Sequence, residues 1–76
     1  MESIIKFKRG DKVKVIKLNA GKRATQRLIS MGIIPGNIVE IARVSSLGGP
    51  VLIRYEGSEI AIGYGLASKI IVEKVN

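Results

Sequence analysis

The 76-residue sequence contains no Cys and no His, so it can form neither a disulfide nor a zinc-finger type of ligand set. Hydrophobic residues make up 46% of the chain, which is ample for the core of one small domain over residues 1–76. The formal net charge is +7, which points to an anionic partner surface.

The first third of the chain predicts one half-buried strand and the only clear helix. Residues 3–8 are expected to form an extended lead-in, with Ile5 and Phe7 on one side. Polar and apolar residues alternate from Lys12 to Val15, and the apolar Ile16 interrupts this alternation. The pattern predicts a strand with a bulge. A helix is predicted from Lys22 to Met31 because its apolar residues share one face, namely Ala24, Leu28 and Met31.

The rest of the chain predicts strands joined by tight turns. Gly32 occupies the position where a left-handed residue ends a helix, and Pro35-Gly36 fits a type II turn. Gly57 belongs to a predicted hairpin. The predicted strands are residues 38–44, 51–55, 60–62 and 70–72, with a short helical turn at 66–68. Five short strands favour a mainly β fold, a small barrel with one α-helix between its first two strands.

The positive charge is concentrated in the N-terminal third. Residues 1–27 hold nine of the thirteen cations and two acids, which accounts for the whole net charge of +7. Residues 28–76 carry four cations and four acids and are therefore neutral. A face of one sign predicts an anionic partner, although a solvated basic face is the alternative interpretation.

No catalytic, metal or cofactor site is predicted. No nucleophile can be paired with a general base in the usual way, and the six acids are scattered along the chain. The nine glycines are spread as turn formers and form no phosphate-binding loop. We therefore expect no catalytic residue, no resident metal and no cofactor, and predict that the protein is not an enzyme.

The sequence predicts a cytoplasmic protein. Its longest unbroken apolar runs are only three residues, whereas a membrane-spanning helix needs about 20. The first residues also lack the apolar stretch and cleavage site of a secretory signal.

Three segments together resemble the FeoA family. Residues 27–36 resemble the helix-to-strand signature of FeoA domains, in which Arg-Leu is followed by a hydrophobe with Gly and then by Pro-Gly. Residues 47–51 resemble the loop before the third strand, and residues 60–62 with 66–70 resemble the closing segment. The resemblance extends from about Gly10 to Val72, and the order and spacing of the three segments make it fairly specific.

This resemblance implies an SH3-like barrel and a function. FeoA proteins are cytoplasmic accessory proteins of bacterial ferrous iron uptake, and the implied partner is FeoB, the membrane ferrous iron transporter with a GTPase domain. Contact with the membrane is then expected only through the transporter. Many family members carry a basic residue where this chain has Gly63-Tyr64-Gly65, so no role of that basic residue can be transferred.

A partner-binding surface is predicted in the basic third. Lys17, Lys22, Arg23 and Arg27 are expected to face an acidic protein surface, because all the net charge lies in this third and the last three residues lie on or beside the one helix. Leu47, in a glycine-containing loop, is predicted to add an apolar anchor, and a place in the core is the alternative.

Two other functions are compatible with the sequence. Residues 10–16 resemble the opening of KOW-type RNA-binding segments, so a basic RNA- or ribosome-associated barrel is the main alternative. The inserted helix and the scarcity of aromatic residues count against nucleic acid. A structural adaptor without a fixed partner is the third hypothesis, and self-association is compatible with all three.

Overall fold

The computed structural model describes residues 1–76, which form one antiparallel sheet with helical insertions. A single turn of 3₁₀ helix, Ile4–Lys6, follows the first strand. The strands are β1 (Glu2–Ser3), β2 (Lys12–Leu18), β3 (Ile38–Arg43), β4 (Val51–Tyr55), β5 (Ser58–Ile62) and β6 (Ile70–Lys74), and the helices are α1 (Lys22–Ser30) and α2 (Tyr64–Ala67).

The strand order is β1-β6-β2-β3-β4-β5, and every neighbouring pair is antiparallel. The five strands β2 to β6 correspond to the five predicted strands, with α1 between the first two and α2 before the last. The mainly β fold class is confirmed, and one detail differs: two residues of β1 pair with β6 and add a sixth, very short strand.

The prediction of an extended lead-in over residues 3–8 is wrong. The side chain of Ser3 accepts a hydrogen bond from the backbone N–H of Ile5 at 3.4 Å, and the chain turns into 3₁₀ helix. This turn buries Ile4 completely, whereas Ile5 and Phe7 are only half-buried. Local side-chain capping therefore overrides the strand-like alternation of the sequence.

The predicted bulge in β2 is confirmed. The pairing of β2 with β6 shifts register between Val15 and Lys17. At the same point the backbone of Val15 bonds to the segment before β3, accepting from Gly36 at 2.7 Å and donating to Asn37 at 2.9 Å. The extra residue bends β2, which pairs with β6 on both sides of the bulge but with β3 only over residues 12–14.

Thirteen buried hydrophobic residues form one core cluster. The strands contribute alternate residues, such as Val13 and Val15 of β2. The predicted helix stripe is confirmed, since Leu28 is fully buried and Ala24 and Met31 are half-buried. Each fully buried aliphatic side chain contributes about 1.5–3 kcal/mol, so packing stabilises this disulfide-free chain.

The hairpin between β4 and β5 uses a two-residue turn. Glu56 and Gly57 have φ angles of 49° and 80°, the left-handed pair of a type I′ turn. Strand β5 consequently begins at Ser58, two residues before the predicted start.

Candidate partner-binding surface

Few of the charged groups are paired with one another. Arg54 of β4 lies 3.6 Å from Glu40 and 3.2 Å from Glu59, and Lys74 lies 3.5 Å from Asp11. These are the three ion pairs of the structure, so Arg54 and Lys74 are the two cations that have an acidic partner.

The cations of residues 1–27, called the basic segment below, have no ion pair. All nine are exposed, and none has a carboxylate within 4 Å. These charges therefore face solvent and form no ion pair that would stabilise the fold. The members are Lys6, Lys8, Arg9, Lys12, Lys14, Lys17, Lys22, Arg23 and Arg27.

Helix α1 presents three of these cations. It follows Gly21, which offers no capping side chain, and its first turn contains Lys22 and Arg23 but no acid. Because the N-terminus of a helix carries partial positive charge, two cations there are unfavourable for the isolated helix. Packing of Leu28 compensates, while Arg23 and Arg27 remain exposed.

Lys17 lies in the last part of β2, before the loop that enters α1. It follows the bulge in β2, opposite Ile71 of β6. Two residues later the backbone N–H of Asn19 donates to the carbonyl of Lys69 at 2.8 Å. This bond brings Lys69, an exposed cation of the electrically neutral part of the sequence, to the loop that enters α1.

Leu47 is fully outside the core. Leu47 is 93% exposed and lies in the loop between β3 and β4. Its backbone N–H donates a hydrogen bond to the Ser45 hydroxyl at 3.1 Å. The alternative of a core position is therefore wrong. The role of Leu47 as an anchor stays a prediction, as do the roles of Lys17, Lys22, Arg23 and Arg27.

Two separate grooves lie beside the start of α2, where Gly63 lines one and Tyr64 lines the other. The smaller, about 270 Å³, is lined by Arg27 of α1 together with Gly63 and Leu66. The larger, about 640 Å³, is lined by Tyr64 and by residues of the loop that carries Leu47, including Ser45. The structure does not bring Leu47 into contact with Arg27, but both lie beside grooves that flank the same short helix.

One ionisable group has a clearly shifted pKa. Asp11 is 7% exposed, and its carboxylate accepts from the backbone N–H of Lys8 at 3.0 Å. This hydrogen bond, assisted by the charge of Lys74, lowers the pKa of Asp11 below its ordinary value, although burial opposes the effect. Asp11 therefore fastens the turn from Lys8 to Asp11 in its ionised form.

The lowered pKa predicts acid sensitivity at Asp11. Its contribution to stability is fully present above the unfolded-state pKa near 3.9 and is lost as the pH falls through the lower folded-state value. Asp11→Asn keeps an oxygen that can accept from Lys8 but removes the charge. We expect the variant to be less stable at pH 7 and to show a shallower loss of stability in acid, measured by denaturant unfolding from pH 7 to pH 2. Equal acid slopes for the two proteins would contradict this role.

The acidic residues form no cluster. Glu40 and Glu59 both contact Arg54, and no group of three or more His, Cys, Asp or Glu side chains could hold a metal ion. Neither helix is long and apolar enough to cross a membrane.

Comparison with known proteins relates this geometry to a family. The model of the FeoA domain matches residues 5–74. This chain belongs to the FeoA family. The family resemblance found in residues 27–36, 47–51, 60–62 and 66–70 is therefore confirmed.

Relatives support this assignment along most of the length of this chain. A curated protein of Methanocaldococcus jannaschii with the inferred name Fe(2+) transport protein A is 52% identical over 66 residues, covering 87% of this chain and 78% of the relative. A crystal structure of an iron uptake regulatory protein, FeoA, has a TM-score of 0.88 at 34% identity and covers 96% of each chain. The solution structure of iron(II) transport protein A from Clostridium thermocellum has a TM-score of 0.86 at 26% identity, covering 96% of this chain and 45% of that one.

In this FeoA domain the Gly of the helix-to-strand signature is structural. Gly32 has a φ of +91° at the end of α1, as predicted, and a β-carbon there would lie 2.8 Å from the ring of Tyr55. The side-chain amide of Asn37 donates to the Gly32 carbonyl at 3.1 Å and to the Tyr55 hydroxyl at 3.0 Å. The signature thus joins α1, the following turn and β4.

Sequence reasoning missed Lys69, the capping role of Asp11 and the larger groove. Lys69 and Asn19 meet only through pairing of distant segments. Asp11 could have been recognised, because Asp side chains in turns often form hydrogen bonds with nearby backbone groups. The groove had no signal in the sequence, since its walls come from three separate segments.

Proposed function

We propose that this FeoA-family protein is a cytoplasmic, non-enzymatic accessory protein of ferrous iron uptake that binds the cytosolic, GTPase-containing domain of the transporter FeoB. Family membership and the name of the 52% identical relative support a role in ferrous iron transport. The observation that carries the interaction is the basic segment, whose nine cations are exposed and without ion pairs.

The basic segment is suited to an acidic protein surface. Unpaired exposed cations do little for the stability of the fold but accelerate the encounter with a surface of opposite charge. Lys22 and Arg23 also oppose the dipole of α1, so their presence has no local structural benefit. We infer that Lys17, Lys22, Arg23 and Arg27 contact the transporter, and that the exposed Leu47 contributes an apolar contact at the margin of the interface.

The RNA-binding alternative has less support. Single-stranded nucleic acid is bound on exposed aromatic rings, and only Tyr64 offers one, with 39% of the residue exposed. Phe7 and Tyr55 are half-buried against the core, and the Tyr55 hydroxyl accepts from Asn37.

A binding experiment with two ligands tests the proposed function. The purified protein is titrated against the immobilised cytosolic domain of the transporter and, in parallel, against bulk RNA at moderate salt. We expect saturable binding to the transporter domain that weakens as salt rises, and weak, non-saturating binding to RNA. Tight binding to RNA without binding to the transporter domain would overturn the proposal in favour of the RNA-associated function.

A further inference from the structure

The larger of the two grooves at α2 lies outside the predicted partner-binding residues. It has a volume of about 640 Å³, within the range of ligand-binding clefts, and half of its ten lining residues are hydrophobic. One wall is the N-terminal segment with Ile5 and Phe7, another is the end of β3 with Val44, and Tyr64 of α2 completes it. We call it the tyrosine groove.

The charges at the tyrosine groove all have one sign. Lys8, Arg9 and Arg43 line it, and no acidic residue does. All three are exposed and lack an ion pair. Asp11, the acid nearest to Lys8 in sequence, is buried and occupied by the Lys8 N–H and by Lys74. The groove therefore combines an apolar lining with an uncompensated cationic rim.

Unpaired backbone groups add a third feature. Strand β3 ends at Arg43, directly after a register shift between Ile41 and Arg43 in its pairing with β4. The three residues that follow, 44–46, line the groove and make no backbone–backbone hydrogen bond. Free backbone donors and acceptors can bond to an extended peptide, and here they lie in the loop after β3, a strand that is itself paired on both sides.

We propose that the tyrosine groove binds an extended acidic segment of a partner protein, with an apolar side chain between acidic ones. The apolar residue would pack against Phe7, Val44 and Tyr64, while the acidic residues would face Lys8, Arg9 and Arg43. A small anion, unlike this peptide, would contact only the cationic rim and not the apolar lining. Nucleic acid is disfavoured because Phe7 is packed against the core and Tyr64 alone exposes a ring.

This inference is independent of the proposed function, because the peptide is selected without the transporter. The immobilised full-length protein is used to select from a display library of random twelve-residue peptides. The most enriched peptide is then synthesised with blocked ends and titrated into isotope-labelled protein, followed by backbone amide NMR. We expect enrichment of Asp and Glu around an aliphatic or aromatic residue, and shifts concentrated at residues 5–9, 42–46 and 64.

Variants test whether the groove itself binds. Arg9→Glu with Arg43→Glu should weaken the selected peptide at least tenfold, and Tyr64→Ala should weaken it without changing net charge. Lys12→Glu with Lys14→Glu is the matched control, with the same charge change on exposed cations outside the groove, and should retain most of the affinity. Because Lys12 and Lys14 lie opposite Glu40 and Glu73 in the sheet, the fold of this control is checked first from its amide spectrum. If the variant with both Arg9→Glu and Arg43→Glu does not fold, as judged from the dispersion of its amide spectrum, Arg43→Gln provides a milder substitution.

Several results would overturn the inference. These are the absence of an acidic consensus, shifts located elsewhere, and equal weakening by groove and control variants. Poly(U) RNA that shifts the same amides and competes with the peptide would assign the groove to nucleic acid. Concentration-dependent shifts of these amides without peptide would assign it to a second copy of the chain.

Discussion

Replacing Gly32 with alanine is expected to destabilise the fold by about 2–4 kcal/mol, a large fraction of the stability of a small domain. Two separate effects contribute. A non-glycine residue at a φ of +91° is strained. The new methyl group would also lie 2.8 Å from Tyr55, so the ring must move and its hydrogen bond from Asn37 is weakened.

Thermal and denaturant unfolding measure this effect. The melting temperature should fall by at least about 8 °C, since 1 kcal/mol corresponds to about 4–8 °C in a domain of this size. Gly65→Ala is the matched control, because Gly65 lies in α2 with open space around it and a φ that alanine accepts. That substitution should be neutral or slightly stabilising.

The contribution of the ring can be separated from that of the backbone. In a Tyr55→Ala background the collision is absent, so Gly32→Ala should cost less there than in the natural sequence. An equal cost in both backgrounds would show that backbone strain alone makes glycine necessary at position 32.

The second large effect is expected in the kinetics of binding to the transporter's cytosolic domain. Arg23→Glu combined with Arg27→Glu reverses two exposed, unpaired charges on α1. Association should slow at least about tenfold at low salt, because attraction becomes repulsion at this face. The difference should shrink as salt rises, since the screening length falls from about 10 Å at 0.1 M to about 3 Å at 1 M. Stability should change by no more than about 0.5 kcal/mol, as is usual for exposed sites.

Two comparisons make this measurement specific. Lys6→Glu with Lys12→Glu produces the same change in net charge elsewhere in the basic segment and should slow association less. Leu47→Ser should leave the association rate nearly unchanged and accelerate dissociation, because apolar anchors act mainly on residence time. The variant with both Arg23→Glu and Arg27→Glu could instead bind the transporter domain normally and no longer bind RNA. In that case this face binds nucleic acid, and the proposed interaction with the transporter is wrong.

Much of the architecture was predictable from local patterns. Alternation in β2, the apolar stripe of α1 and the glycines at 32 and 57 each depend on a few consecutive residues. The prediction failed at Ile4–Lys6, where Ser3 caps a turn that alternation cannot indicate. Family-specific segments then added the SH3-like arrangement, which periodicity alone could not distinguish from other small barrels.

The chemistry available to this protein follows from its composition: it has no Cys or His, an apolar fraction sufficient for a core, and a net positive charge confined to residues 1–27. Where that chemistry is exposed depends on the tertiary structure. It buries Asp11, leaves Leu47 almost fully in solvent and brings Lys69 to the entrance of α1. It also assembles the tyrosine groove from Phe7, residues 42–46 and Tyr64. These outcomes depend on pairing between strands far apart in the chain, and that pairing is set by global packing of the sheet, on which local patterns carry no information.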